Sequence, residues 1–347
     1  MTRVLVCGTK FGRAYLAGVR PPLVLAGILA AGGERSRRCA ARYGVPLWTD
    51  VAQVSAVDIA CVVVGAGINS GPGARLAQAL LARGVPVLQE HPLGERELVE
   101  TLRAARGVPY AVNTHYPHVE PVRRFVDRAR ALLRRQRALY VDAVCAFQVA
   151  YTMFDLLGLV LGGLRPWRLA AVDAPGDHPY RCLQGEIAGV PVTVRVQPEL
   201  DARVPDNHAH TYHRVTLGTE GGHLTLATTH GPVLWSPRPH LPAGAEAATG
   251  YDEVTAPHLT EPVTSLIGPP APTYREVLDV LWPDATHAAM VEFARAVAAG
   301  TDLRGAAQHH LALCRITAEA VALAGGVRLT SRPDPEILSA REVAALP

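Results

Sequence analysis

Gln89-Glu90-His91-Pro92 closes the apolar run Val85-Pro86-Val87-Leu88, so an amide, a carboxyl and an imidazole stand together where a short strand is expected to end. Imidazole exchanges protons near neutral pH, its ordinary pKa being about 6.5. The carboxyl of Glu90 could orient the chain or bond a cofactor ribose. In a doubly wound α/β sheet, ligands lie beyond the carboxyl ends of the strands, so polar residues just past Leu88 would face a bound cofactor. The competing reading is a strand stopped by a proline, followed by a surface histidine.

A second group, Gly8-Thr9-Lys10-Phe11-Gly12, follows the β-rich run Arg3 to Cys7 and leads into a helical segment, Arg13 to Val19. Glycines in such a turn let the backbone approach a pyrophosphate at the helix N-terminus. A G-x-G-x-x-G fingerprint would want glycine at Lys10 and Arg13, so the turn reads as one shortened by a residue, with Lys10 free to meet a phosphate. After the second strand, Leu23 to Leu29, the chain has Ala30-Ala31-Gly32 in place of the acidic residue that bonds the NAD ribose, with Arg35, Ser36, Arg37 and Arg38 just beyond. Arginine and serine there favour NADP over NAD, against the alternative of an exposed basic helix start.

These groups need a scaffold. Ile59 to Val64 reads as a third strand, Asn69-Ser70-Gly71-Pro72-Gly73 as the opening of a helix over Ala74 to Arg83, Val85 to Leu88 as the next strand, Glu95 to Arg106 as a helix and Tyr110 to Asn113 as a strand. Alternation of this kind predicts a Rossmann-type doubly wound parallel sheet over residues 1–118. Beyond it Val119 to Gln136 is helical, Ala138 to Ala150 alternates as a strand, and Phe154 to Leu164 returns to helix. Trp167 to Asp173, Tyr180 to Ala188, Val190 to Gln197, Thr211 to Gly218 and His223 to Thr229 then read as successive strands. Residues 119–347 are thus expected to form an α+β domain on a largely antiparallel open sheet. Pro237 to Pro272 reads as an irregular wrap or lid, and helices return at Tyr274 to Leu281, Ala285 to Ala298 and Gly305 to Leu323.

Composition narrows the class. The chain has 347 residues, 49% of them hydrophobic, and no stretch apolar enough to span a bilayer, so a soluble chain with two cores is expected. The strand-like run begins at Val4 with no apolar leader before it, which points to the cytoplasm. Six cysteines lie far apart without metal-ligand spacing and read as small core residues. With 34 basic and 31 acidic residues the charge is too even for a nucleic-acid binder, and the arginines from Arg123 to Arg137 read as a solvated helix face. His208, His210 and His213 would share one face of a strand, yet no acidic or cysteine ligand accompanies them at a familiar spacing, and no metal is expected. Trp167 and Trp235 read as packing residues or an aromatic wall for a planar substrate, and Trp48 and Trp282 as core.

The strand, glycine turn, basic turn and late Glu90-His91-Pro92, followed by a sheet-rich half, resemble the glucose-fructose oxidoreductase and inositol dehydrogenase superfamily over nearly the whole chain. That superfamily commonly has lysine where this chain has His91. Many of its sugar dehydrogenases pair an Asp with a His four residues later; Asp155 matches the first, but Leu159 stands at the second. Both losses argue against a polyol or sugar substrate. A narrower resemblance, carried by Gly8 to Gly12, Gln89 to Pro92, Val112-Asn113-Thr114-His115-Tyr116 and Leu161-Gly162-Gly163-Leu164-Arg165-Pro166-Trp167, is to the thiazolinyl imine reductases of pyochelin-type and yersiniabactin-type siderophore assembly.

That resemblance implies reduction of a thiazoline C=N to thiazolidine by NADPH while the intermediate stays a thioester on a nonribosomal peptide synthetase carrier domain. It also implies that His91 and Tyr116 are the acid residues. Such a reduction needs a hydride at carbon and a proton at nitrogen, and either side chain can give the proton: imidazole in the physiological range, phenol through a positioned hydrogen bond. A homodimer through the open sheet is expected. The rivals are another oxidoreductase of the superfamily acting on a small free metabolite, and a regulator that binds NADP without turnover.

Overall fold

The computed structural model describes residues 1–65, 71–173, 178–201, 203 and 208–347. Val4, Leu5, Val6 and Cys7 have no exposed surface, as expected of a strand covered on both faces in the middle of a parallel sheet. They belong to β1 (Thr2–Cys7), which is followed by α1 (Gly12–Gly18), β2 (Leu23–Leu29), α2 (Glu34–Tyr43), β3 (Leu47–Trp48), β4 (Ile59–Val62), α3 (Gly73–Leu81), β5 (Val87–Glu90), α4 (Glu95–Ala105) and β6 (Tyr110–Asn113). All pair in parallel in the order β3-β2-β1-β4-β5-β6. The order reverses between β1 and β4, the position at which such sheets open a ligand crevice. Asn69 and Ser70, read as part of a helix opening, lie outside the described residues.

The second half adds α5 (Glu120–Leu133), β7 (Tyr140–Ala146), α6 (Ala150–Leu161), β8 (Trp167–Val172), β9 (Arg181–Ile187), β10 (Val190–Gln197), β11 (Glu199–Leu200), β12 (His213–Thr219), β13 (Gly222–Leu226), β14 (Val233–Pro237) and β15 (Ser265–Leu266). The larger sheet runs β15-β14-β13-β12-β7-β10-β9-β8 and is antiparallel except where β7 meets β10. On β10, Val192, Val194 and Val196 are buried while Thr193 and Arg195 are partly exposed, the alternation of a sheet with one covered face. The chain ends with α7 (Tyr274–Glu276), α8 (Trp282–Ala299), α9 (Arg304–Leu323), β16 (Arg328–Leu329), which pairs with β11, and α10 (Ala340–Ala344).

Three expectations shift. The strand predicted over Val85 to Leu88 lies two residues later, so Gln89 and Glu90 are buried inside β5 rather than beyond it. The strand predicted to Ala150 stops at Ala146, and Ala150 already begins α6. The two helices predicted either side of Pro283 are one rod, in which a π-turn, Val277–Leu281, precedes Trp282 and Pro283. Proline lacks the N–H of an ordinary helical turn, and a wider turn just before it keeps the rod continuous.

α8 then returns to the first sheet. A Cβ on Gly18 would lie 2.4 Å from Thr286 Oγ1, so only glycine lets α1 and α8 approach this closely. Thr286 donates to the Ala14 carbonyl at 3.0 Å, and His287 Nδ1 meets the Gly18 carbonyl at 2.9 Å. α8 is thereby tied to the body and C-terminal end of α1. Among the described residues no helix is long and apolar enough to cross a membrane.

Candidate active site

Gly8 follows β1 at the point where the strand order reverses. Its φ is +94°, and a Cβ there would lie 2.5 Å from the carbonyl oxygen of Val63, just past β4. The turn therefore leaves bare backbone in the crevice, the surface a pyrophosphate needs. Thr9 is buried, Lys10 is exposed, Phe11 is half-buried and Gly12 opens α1. Arg35 and Arg37 are exposed on the first turn of α2, with Arg35 Nε 3.5 Å from Thr9 Oγ1 and Arg37 bonded to the Gly32 carbonyl. Ser36 is buried and donates its hydroxyl to the Gly33 carbonyl at 2.7 Å.

The polar residues of β5 take hydrogen-bond partners far away in sequence, although Gln89 Nε2 is buried without one. Gln89 Oε1 accepts from Tyr110 Oη at 2.9 Å. Glu90 is paired in register with Asn113 on β6, and its Oε2 accepts from Asn113 Nδ2 at 3.1 Å and from the Tyr15 hydroxyl. Asn113 Nδ2 also reaches Tyr15 Oη at 2.5 Å. Burial, and then the Glu90 charge, push the Tyr15 phenol well above its usual pKa, so it stays a donor. The remaining oxygen of Glu90 lies 2.8 Å from His91 Nδ1, and the Asn113 carbonyl lies 3.3 Å from the same nitrogen. The Asn113 carbonyl can only accept, which assigns the proton to Nδ1 and leaves Nε2 as the nitrogen able to exchange protons with a ligand.

The structure brings His91 and Tyr116 together. Their ring centroids are 6.1 Å apart and steeply inclined, while Tyr151 of α6 lies nearly parallel to His91 at 6.1 Å. Tyr116 rests edge-on against His213 at 4.6 Å. His213 is a fixed shelf: Thr152, whose hydroxyl donates to the Val149 carbonyl, accepts from Nε2 at 2.8 Å, and Thr229 Oγ1 lies 3.0 Å from Nδ1. Tyr151 Oη in turn meets His310 Nδ1 at 3.1 Å. The loop carrying Tyr116 is tied down through Thr114, which donates to Asp155 at 2.5 Å; the other oxygen of Asp155 lies 2.7 Å from His309 Nε2. Desolvation would raise the Asp155 pKa, but the His309 and Thr114 hydrogen bonds and the nearby histidines bring it below the usual value. The partner absent at Leu159 is thus supplied from α9.

Burial holds His213 at about 3, and His230 and His310 at about 4. All three are neutral when folded and take up a proton near ~6.5 once unfolded. Unfolding therefore binds protons in acid: stability is complete above about pH 6.5 and falls as pH drops toward 4, by about 1.4 kcal/mol per pH unit for each group. Urea midpoints at pH 7.5 and pH 5 should show this fall, and His213→Gln should reduce its slope by about one proton; a pH-independent midpoint would contradict it.

The other histidines part company. His208 faces Asp201 at 3.7 Å and His210 packs by Tyr180, while His213 begins β12, so no common strand face carries the three. Of the tryptophans, Trp167 donates to Glu319 at 2.8 Å, and Trp282 packs against the core as expected while also standing edge-on to Phe11 at 5.5 Å and donating to His230 at 3.2 Å. Sequence reasoning missed Tyr15, Asn113, Tyr151, His115 and Trp282 as site residues. The one signal pointing to them is that His115 and Asn113 flank the loop that carries Tyr116.

Comparisons agree with this anatomy. The family model described as "Oxidoreductase family, NAD-binding Rossmann fold" matches residues 2–114, and that described as "Thiazolinyl imine reductase Irp3-like, C-terminal" matches residues 136–236. No curated protein matches the chain. Similar solved structures include an oxidoreductase from Agrobacterium radiobacter in complex with NAD+, L-tartaric acid and magnesium, at 10% identity and TM-score 0.68 over 93% of this chain and 96% of that one. A 3-ketoreductase from Actinomadura kijaniata in complex with NADP has 18% identity and TM-score 0.64 over 96% and 99%. A putative myo-inositol dehydrogenase from Sinorhizobium meliloti has 14% identity and TM-score 0.66 over 94% and 98%. These likenesses are of fold. Together with the glycine turn at the switch point, the two family matches support an oxidoreductase with an NAD(P)-binding domain, similar over residues 2–114 to the GFO/IDH/MocA family.

Proposed function

We propose that the protein is an NADPH-dependent thiazolinyl imine reductase acting on a thiazoline held as a thioester on a nonribosomal peptide synthetase carrier domain. The observation that carries this reading is the meeting of His91 and Tyr116 beyond β5 and β6, on a chain whose residues 136–236 match the C-terminal model of the thiazolinyl imine reductases. The bare turn at Gly8 fits a dinucleotide, held by residues 8–12 and by Arg35 and Arg37. When bound, the reduced nicotinamide supplies a hydride to the carbon of the C=N bond. The chain supplies the proton for nitrogen. The Asn113 carbonyl fixes the tautomer of His91, whose Nδ1 lies 2.8 Å from the Glu90 carboxyl, Tyr151 and Tyr116 fix its ring, and His213 fixes Tyr116. One of His91 and Tyr116 protonates nitrogen while the other orients or relays. A half-buried imidazole and phenol in place of lysine suit an acid that donates to nitrogen, which favours imine over sugar chemistry.

Coenzyme oxidation with a synthetic thiazoline thioester tests this: consumption supports it, and consumption only with a sugar or ketone refutes it. Ser36 is turned inward, so Arg35 and Arg37 are the groups placed to meet a 2′-phosphate. Replacing both with Ala should weaken NADPH binding by about 10- to 100-fold, the worth of one or two charge-assisted hydrogen bonds, and leave NADH binding within about twofold. Equal loss of both would refute the NADP assignment. The polar outer face of the larger sheet, with Asp142, Thr193 and Arg195, is the surface proposed for a homodimer.

A further inference from the structure

Three histidines near the site have partners: buried His213 between two threonines, buried His310 on Tyr151 and half-buried His230 beside the Trp282 indole. His115 differs. It is 1% exposed, and neither ring nitrogen has a hydrogen-bond partner. Its backbone, at φ 58° and ψ −60°, forms the centre of a γ-turn closed by the Tyr116 N–H on the Thr114 carbonyl at 2.6 Å. That turn is rare and strained for a residue with a side chain. The His115 N–H on Asn113 Oδ1 at 3.1 Å helps hold it.

An orphaned imidazole and a strained backbone thus coincide at one residue. Packing does not call for this. The ring stands edge-on to Phe11 at 5.1 Å, to Tyr116 at 5.3 Å and to Trp282 at 5.9 Å, and a phenyl group would fill an aromatic slot of that kind with no nitrogen left unpaired. Strain and unmet polar groups of this sort persist where a ligand completes them. The place is also telling: Phe11 belongs to the glycine turn between β1 and α1, Tyr116 is the next residue, and His91 is close enough to oppose charging of the ring.

We propose that His115 recognises the nicotinamide end of the bound dinucleotide, its imidazole completing a hydrogen bond with the ring's carboxamide. A neutral imidazole has one donor and one acceptor, and a primary carboxamide has both, so the pair matches in either tautomer. Burial, with His91, His118 and His230 nearby, keeps His115 uncharged, which also avoids repulsion with an oxidised, cationic nicotinamide. The inference rests on the proposed reaction centre at His91 and Tyr116 only for its location.

The test is calorimetric binding of two matched pairs, NADP+ against 2′-phospho-ADP-ribose and NAD+ against ADP-ribose, whose members differ only by the nicotinamide. His115→Phe should bind whichever dinucleotide the wild type prefers about tenfold more weakly, the worth of about one hydrogen bond, with the matching ribose fragment unchanged. The ligand-free variant should melt at or above the wild-type temperature. His115→Asn, which tolerates positive φ and keeps an amide donor and acceptor, should fall between the two. Unchanged dinucleotide affinity in His115→Phe, or equal loss of dinucleotide and fragment, would overturn the proposal. Since no turnover is measured, failure of thiazoline reduction would refute the proposed function without touching this result.

Discussion

His91→Asn together with Tyr116→Phe should abolish thiazoline reduction, lowering kcat by about 10³- to 10⁴-fold while coenzyme affinity stays within about twofold; general acid catalysis of this kind contributes about 10²- to 10⁴-fold. Each single replacement should cost about 10²-fold or more, and the double less than the product of the singles, because donor and relay act as a unit. Phenylalanine keeps the ring that rests on His213 at 4.6 Å, and asparagine keeps a polar group beside Glu90, so the losses would report proton delivery rather than collapse of the site. Single-turnover rates over a pH series assign the roles. The variant in which the rate no longer depends on the ionisation of a single acid is the one that has lost the donor. Wild-type turnover in all three variants would remove both residues from the mechanism.

Gly8→Ala should be the most damaging single change outside that pair. The new Cβ would stand 2.5 Å from the Val63 carbonyl oxygen at a φ of +94°. That oxygen belongs to backbone leaving β4, so it cannot swing aside as a side chain would. Strain at positive φ adds about 1–2 kcal/mol for a residue with a Cβ, and displacement of packed backbone brings the total to about 2–4 kcal/mol. Urea unfolding should show the loss of stability, and titration with NADP+ should show at least a tenfold weaker affinity as the turn moves off the crevice. Gly33→Ala is the control: at φ −65°, with nothing within 4 Å of a new Cβ, it should leave both measurements nearly unchanged.

Much of the scaffold was legible because periodicity and punctuation coincide. Leu23–Leu29 and Tyr110–Asn113 have the bounds their apolar pattern predicts, and Gly44 ends α2 in the left-handed conformation expected of a C-terminal glycine. The apolar pattern places β5 two residues early because Gln89 and Glu90 look like residues leaving a strand. Their partners, Tyr110, Tyr15 and Asn113, lie 21 to 75 residues away in sequence, so nothing local marks them as buried. β3, β11, β15 and β16 are two residues each, too short to carry a period.

The site was legible in its first members and not in its walls. His91 and Glu90 stand out as polar residues closing an apolar run, and the glycine turn stands out after β1. Trp282 reads as core, and packs there, but its further contacts with Phe11 and His230 have no signature in sequence. Asp155 lacks its partner four residues on because the imidazole comes from His309, 154 residues away. His115 looks like one more histidine in a loop until its γ-turn and unpaired nitrogens are seen.

The central claim is that a hydride passes from the coenzyme to a C=N carbon beside His91 and Tyr116. NADPH deuterated at C4, on each face in turn, incubated with a carrier-bound thiazoline and followed by mass spectrometry of the released product, tests it most directly. The account predicts that the wild type moves one deuterium onto the former imine carbon from one of the two faces, and that the His91→Asn, Tyr116→Phe double variant binds NADPH yet moves none above background. Deuterium passing to a sugar or ketone but not to the thiazoline, or NADPH binding without transfer to any acceptor, would contradict it.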